Sequence, residues 1–215
     1  MSQVFMTGGT GYVGQRLIPI LLERGHRVRA LVRSGSERTL PNGCVAIQGN
    51  ALDKSTFVNQ IAPADTFIQL VGVAHPSPSK AGQFKKIDLV SGRESVAAAK
   101  ETNIRHFIYV SVAQPAPMMQ AYIEVRAEIE SLLRMNGFNA TILRPWYVLG
   151  PGHRWPYALL PLYWVWGCMP SKRDLAQRLG LITLRQMLAA LVNAVENPAD
   201  GIRLWEVPQM RNFDF

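Results

Sequence analysis

Glycines at positions 8, 11 and 14 follow the apolar run Val4-Phe5-Met6 and lead directly into a helical pattern, a junction that constrains the fold more than any other stretch. Val13, Leu17, Ile20 and Leu21 recur at the spacing of one helix face. A buried strand, a glycine turn and a helix, in that order, form the context of a dinucleotide fingerprint. Gly8 lets the chain turn sharply, Gly11 lets the backbone approach a pyrophosphate, and Gly14 lets the helix pack closely on the strand. The anion then meets free backbone N–H groups at the positive end of the helix dipole. A glycine-rich turn with no ligand is the plain alternative. The second strand expected over Arg27 to Val32 completes the unit and favours the nucleotide. Pro19 falls inside the helix, where it removes a hydrogen bond and is expected to kink it.

The remaining pattern alternates strands and helices. Cys44 to Gln48 reads as a short buried strand, Lys54 to Ile61 as a helix, and Asp65 to Val71 as a fourth strand. Gln83 to Thr102 reads as a long helix with Val96 to Ala99 facing the core, and Arg105 to Val112 as an apolar strand. Met119 to Asn136 reads as a helix ended by Gly137, and Ala140 to Leu143 as a strand. Leu184 to Val195 is an amphipathic helix and Arg203 to Val207 a last strand. Such alternation predicts an α/β fold, a doubly wound parallel sheet with helices on both faces. Residues 1–150 form its nucleotide-binding core, and 151–215 add a small C-terminal cap, a helix and a strand to the same domain.

The chain has 215 residues, 48% of them hydrophobic and 18% charged, which suits one domain with a sizeable core rather than a disordered segment. Cys44 and Cys168 have no metal or redox spacing and the histidines are scattered, so no metal site is expected and a reducing cytoplasm is the default. A strand begins within the first few residues, and no targeting peptide is expected ahead of it. The net charge of +8 suits an anionic cofactor, a nucleic acid or an acidic membrane surface. The basic residues are thinly spread and no nucleic-acid motif appears, so cofactor phosphates are the cheaper account. Trp155 to Met169 carries no charge and is rich in Trp, Tyr and Leu, but Pro156 and Pro161 break it. At that length it falls short of the ~20 apolar residues of a membrane span. It reads as a buried cap, a greasy substrate lid, or a surface that touches a membrane or another subunit.

Several runs together resemble the atypical and extended short-chain dehydrogenase/reductases, closest to the NmrA-like and NAD-dependent epimerase/dehydratase-like branch. They are Thr7 to Gly14 (TGGTGYVG), Leu31-Val32-Arg33, the strand ending at Ser111, the Tyr122–Arg126 pair, Arg144 to Gly152, and Leu181 to Leu188. The resemblance implies an NAD(P)-binding Rossmann fold in which Gly8, Thr10, Gly11, Tyr12, Val13 and Gly14 form the pyrophosphate turn. It sets Arg33 where an acidic residue would hold the ribose hydroxyls of NAD. A cation there pairs with the 2′-phosphate of NADP, with Arg38 helping, so NADP is expected over NAD. Asn50-Ala51 takes the adenine-facing position, Val71-Gly72-Val73 runs beside the ribose, and Pro145 and Val148 line the nicotinamide end.

Enzymes of this family use a serine, a tyrosine and a lysine four residues after the tyrosine. Here Ser111 and Tyr122 are present, and arginine stands at 126. A spacing of four puts Tyr122 and Arg126 on one helix face. Tyrosine, with an ordinary pKa of ~10, needs a nearby cation to exchange a proton at neutral pH. Arginine supplies permanent charge but not lysine's point-like contact with ribose. The resemblance therefore implies an oxidoreductase or epimerase-like enzyme, with Tyr122 as acid/base, Ser111 polarising the substrate oxygen, and Arg126 binding ribose and lowering the tyrosine's pKa. The alternative is a dinucleotide binder without chemistry, a redox sensor or accessory subunit. The apolar 155–169 stretch and the short chain favour a small apolar substrate over a nucleotide-sugar, and the chain is expected to be a monomer or homodimer.

Overall fold

The computed structural model describes residues 1–151 and 177–215. The chain begins with β1 (Gln3–Thr7), α1 (Gly14–Glu23), β2 (Arg27–Val32), β3 (Val45–Gln48) and β4 (Thr66–Gln69). There follow α2 (Ala81–Gln83), a π-helical segment (Phe84–Leu89) and α3 (Val90–Glu101), then β5 (His106–Val110), α4 (Gln120–Met135), β6 (Ala140–Arg144) and β7 (Tyr147–Leu149). The C-terminal part supplies β8 (Leu181–Thr183), α5 (Leu184–Glu196), β9 (Ile202–Glu206) and α6 (Val207–Met210).

One sheet runs in the order β3-β2-β1-β4-β5-β6-β9, every pair parallel. Successive strand residues point to opposite faces, and both faces are covered. Val4, Met6, Ile68, Ile108 and Leu143 meet α1 and α5 on one side. Phe5, Phe67, Phe107 and Tyr109 meet α3 and α4 on the other. There the Phe5, Phe67 and Phe107 rings follow one another at 5.3 Å and 5.1 Å across the middle strands. The sheet is doubly wound, and its order reverses between β1 and β4, where ligands of such folds bind.

The expected elements form, with local departures. Cys44 to Gln48 is an edge strand rather than a buried one, because β3 pairs only with β2; Val45 is exposed and Ile47 alone of its residues is buried. Lys54 to Ile61 makes two 3-10 turns instead of a helix, the first started by Asp53, whose carboxylate accepts the Ser55 N–H at 3.0 Å. Short turns suit a stretch whose polar residues hydrogen-bond locally. Helix α1 continues through Pro19 as one element. The expected helix from Gln83 is interrupted by the π-helical segment, which turns Phe84 and Asp88 into the interior. Thr183 and Gln186 form a capping box that starts α5. Beside the main sheet, β7 pairs with β8 and so ties the end of β6 to the start of α5. The apolar stretch from Trp155 to Met169 lies outside the described residues.

Candidate functional site

The glycine turn is built as the sequence demands. Gly8 has φ +79°, open to glycine at little cost, and a Cβ there would lie 2.8 Å from the Leu70 carbonyl carbon. A Cβ on Gly14 would overlap Gly8 O and lie 2.7 Å from Gly9 Cα, so only glycine lets α1 start this close to β1. Gly9, which the motif reading passed over, is equally confined, with a Cβ 2.8 Å from that of Ala30. The start of α1 has no side-chain cap and no acidic residue in its first turn, which suits an anion.

Two cavities meet above the C-terminal ends of β1 and β4, sharing Gly8, Gly11, Leu70 and Gly72. The first, about 350 Å³, is lined by Thr10, Arg33, Asn50, Ala51 and Val71. The second, about 380 Å³, is lined by Tyr12, Val13, Gly14, Val73, Ser111, Tyr122, Arg126, Pro145 and Val148. The two make one cleft along the sheet's switch point. Arg33 is exposed at the end of β2, whereas Arg38, on the turn Glu37–Thr39, lines neither cavity. Asn50 uses its side-chain oxygen to accept the Leu52 N–H at 3.0 Å, which closes its own turn.

Arg126 does not sit as expected. Its guanidinium is buried and donates to Val110 O at 2.8 Å and to the Asp88 carboxylate at 2.5 Å. The other Asp88 oxygen accepts the Val73 N–H at 3.0 Å, so loop, π-helical segment and α4 are joined through one carboxylate. Gly72 leaves the room: a Cβ there would overlap Arg126 Nη2 and lie 3.1 Å from Asp88 Oδ1. The guanidinium carbon stands 4.9 Å from the Tyr122 ring centre and 5.8 Å from that of Tyr109. The cation is thus spent on Asp88, a backbone carbonyl and two aromatic faces, not held out toward a ribose. Nor does it lower the tyrosine overall. Burial pushes the Tyr122 phenol up, Arg126 pulls against it, and Asp88 adds to the rise.

Ser111 is likewise committed. Its hydroxyl donates to Glu130 at 2.6 Å, and Glu130 also accepts from Gln114 at 2.8 Å and from the Arg144 fork at 2.9 and 2.5 Å. A carboxylate only accepts, so the serine's proton points at Glu130 and its lone pairs are what it offers elsewhere. That reverses the expected polarising role, in which Ser111 gives a proton to a substrate oxygen. The charged side chains that organise the site, Asp88 and Glu130, were absent from the sequence reading. Glu130 had a signal: Tyr122, Arg126 and Glu130 follow one another every four residues, and that face of α4 is buried among Ile123, Ile129 and Leu133. Gln69 is a third buried polar organiser, whose side-chain oxygen accepts from Thr7 and from Val71 N–H, both at 2.7 Å.

A family model described as NAD(P)H-binding matches residues 8–155, well over half of the chain. The chain belongs to the NAD(P)H-binding family. Among characterised relatives of this NAD(P)H-binding protein is the 4-hydroxy-2-methyl-3-oxo-4-farnesyl-3,4-dihydroquinoline-1-oxide ketoreductase of Stigmatella aurantiaca, 27% identical over 69% of this chain and 51% of that protein. Another is the ceramide reductase of Caulobacter vibrioides, 25% identical over 93% of this chain and 62% of that protein. The chain thus spans about half to three fifths of these relatives' length. Among solved structures, WbmH of Bordetella bronchiseptica in complex with NAD+ superposes with a TM-score of 0.70 at 20% identity, covering 96% of this chain and 75% of that one. The fold is that of NAD-dependent epimerases and short-chain dehydrogenase/reductases. Among the described residues, no helix is long and apolar enough to cross a membrane.

Proposed function

We propose that the chain binds NADP(H) along this cleft and reduces the carbonyl group of a small, largely apolar compound, or oxidises the matching alcohol. The observation that carries the reading is the meeting of the two cavities, one over the glycine turn and Arg33, the other beside Ser111 and Tyr122. The residues fit a dinucleotide: Gly8 and Gly14 let the turn close tightly on β4 and on the start of α1, where a methyl group would meet backbone, and α1 starts uncapped. The pyrophosphate belongs at Thr10 to Val13, the adenine beside Asn50 and Ala51, and the ribose along Val71 to Val73. Pro145 and Val148 then border the nicotinamide. Arg33 makes no ion pair among the described residues and is available to a 2′-phosphate. When bound, the nicotinamide supplies or accepts the hydride.

The chain's own part is the proton. With its hydroxyl proton on Glu130, Ser111 can accept a hydrogen bond but not polarise a carbonyl, so Tyr122 is the donor to the substrate oxygen. Tyr122 would give its phenolic proton to the oxygen of the carbonyl being reduced and would regain a proton from water. An apolar substrate is supported by the side chains of Val73, Pro76, Val112 and Trp146 around the second cavity. The names of the two relatives also carry farnesyl and ceramide groups. The rival reading, binding without chemistry, draws support from the engagement of Arg126 by Asp88.

The test has two arms. By calorimetry NADPH binds more tightly than NADH, and Arg33→Asp reverses the order; tighter NADH binding by the native chain refutes the NADP assignment. With farnesyl- and acyl-bearing ketones, NADPH consumption is lost in Tyr122→Phe while NADPH affinity is kept. Equal consumption by both proteins removes Tyr122 from the chemistry, and consumption by neither supports the binder.

A further inference from the structure

Residue 126 lies where the family resemblance calls for lysine, yet its charge is met by a second buried charge from another element. Asp88 is 1% exposed and Arg126 is 5% exposed, and they pair at 2.5 Å. Asp88 reaches this position because the π-helical segment widens the helix just where Phe84 and Asp88 turn inward. Phe84 packs on Tyr122 with ring centres 4.8 Å apart, so the same segment holds the tyrosine ring and neutralises the cation beneath it. The groups facing Tyr122 are Arg126 from α4, Asp88 from the π-helical segment and Tyr109 from β5. His75, from the loop after β4, lines the same cavity.

We infer that Asp88 is a positioning residue that keeps Tyr122 a protonated phenol, by pinning Arg126 and opposing its charge, and so sets the site for carbonyl reduction. This rests on the reading of Tyr122 as the proton donor. A free cation at this distance would draw the proton off the phenol and favour a base that oxidises alcohols. With the cation opposed by Asp88, burial dominates and the tyrosine enters the reaction as an acid. The rise in its pKa agrees, burial being the largest cause. Substituting Asp88 leaves the guanidinium uncompensated at about 5 Å from the ring. At an effective dielectric near 20, one unit charge acting over ~7 Å corresponds to a shift of more than about one pH unit.

The experiment titrates the phenol in the full chain, free of cofactor and substrate, by ultraviolet difference absorbance, with Tyr122→Phe subtracted to assign the signal. Asp88→Asn lowers the Tyr122 midpoint by about one pH unit or more. Asp88→Asn with Arg126→Met, a neutral pair, brings it back to within about half a unit of the native protein. An unchanged midpoint in Asp88→Asn, or a double variant that titrates as low as the single one, overturns the inference. Asn keeps one acceptor oxygen where Asp88 uses two, one for Arg126 and one for Val73 N–H, and if the single variant does not fold, the double variant decides alone. A midpoint near the native value supports the inference, and a departure of more than about one unit in either direction overturns it. NADPH calorimetry on the native chain reports separately on cofactor binding, so failure of the cofactor reading and failure of the Asp88 role give different results.

Discussion

Glu130 and Glu128 both lie on α4 and each holds an arginine, yet neutralising each separates a buried network from a surface pair. The Glu130 side chain is 4% exposed and its main partner Arg144 15%, whereas Glu128 and Arg93 are 40% and 55% exposed. In Glu130→Gln one oxygen still accepts, but an amide NH2 now faces the donors of Ser111, Gln114 or Arg144, and the guanidinium loses a charge partner. Removing one member of a buried pair costs about 3–5 kcal/mol, and the oxygen that glutamine keeps returns part of it, leaving a loss of roughly 2–4 kcal/mol. For a domain of this size the melting midpoint falls by about 5–15 °C. Glu128→Gln loses less than about 1 kcal/mol. Urea unfolding followed by circular dichroism, at low and high salt, measures both. The Glu128 effect shrinks with salt and the Glu130 effect does not. Equal losses, or a Glu130→Gln loss below about 1 kcal/mol, would refute the view that this carboxylate organises the Ser111 side of the cleft. A double-mutant cycle with Arg144→Met then isolates the pair.

Two further outcomes follow from the same geometry. Gly14→Ala pushes α1 away from the turn, because the added methyl meets backbone atoms of Gly8 and Gly9 that cannot swing aside. It costs about 1–3 kcal/mol of stability and weakens NADPH binding about tenfold or more. Gly82→Ala, with nothing near its Cβ, costs neither; equal behaviour of the two in calorimetry removes the turn from the binding site. His106 is buried with Nε2 3.0 Å from Thr141 Oγ1, and burial, with Arg203 nearby, lowers its pKa to about 4. The unfolded chain therefore takes up a proton near pH 6.5 that the folded chain refuses, and stability falls as pH drops through the window between the two values. The loss from this group between pH 7.5 and 5 is about 2 kcal/mol, absent from the pH dependence of His106→Gln. A variant that loses as much as the native protein on acidification refutes the assignment.

The glycine turn and the alternation of strands and helices were legible because their causes are local. A positive φ at Gly8, an apolar face on α1 and the continuous apolar run Val4-Phe5-Met6 of β1 are set by neighbours in the chain, and they sufficed for a doubly wound parallel sheet. Edge or centre was not legible for β3, since the pattern Val45-Ala46-Ile47 cannot say how many strands will flank it. The chemistry of the cleft was legible only as far as residue types. Sequence placed Ser111, Tyr122 and Arg126 near one another, but not which groups would claim them. Arg126 meets Asp88 across 38 residues and Ser111 meets Glu130 across 19, contacts that exist only once the π-helical segment, α4 and β5 are packed together. By itself the sequence determined the fold and the glycine turn between β1 and α1, because backbone sterics and apolar periodicity act over a few residues. The tertiary structure alone decided which way protons point and which charges are cancelled, because a buried polar group takes whatever partner packing brings within hydrogen-bond reach.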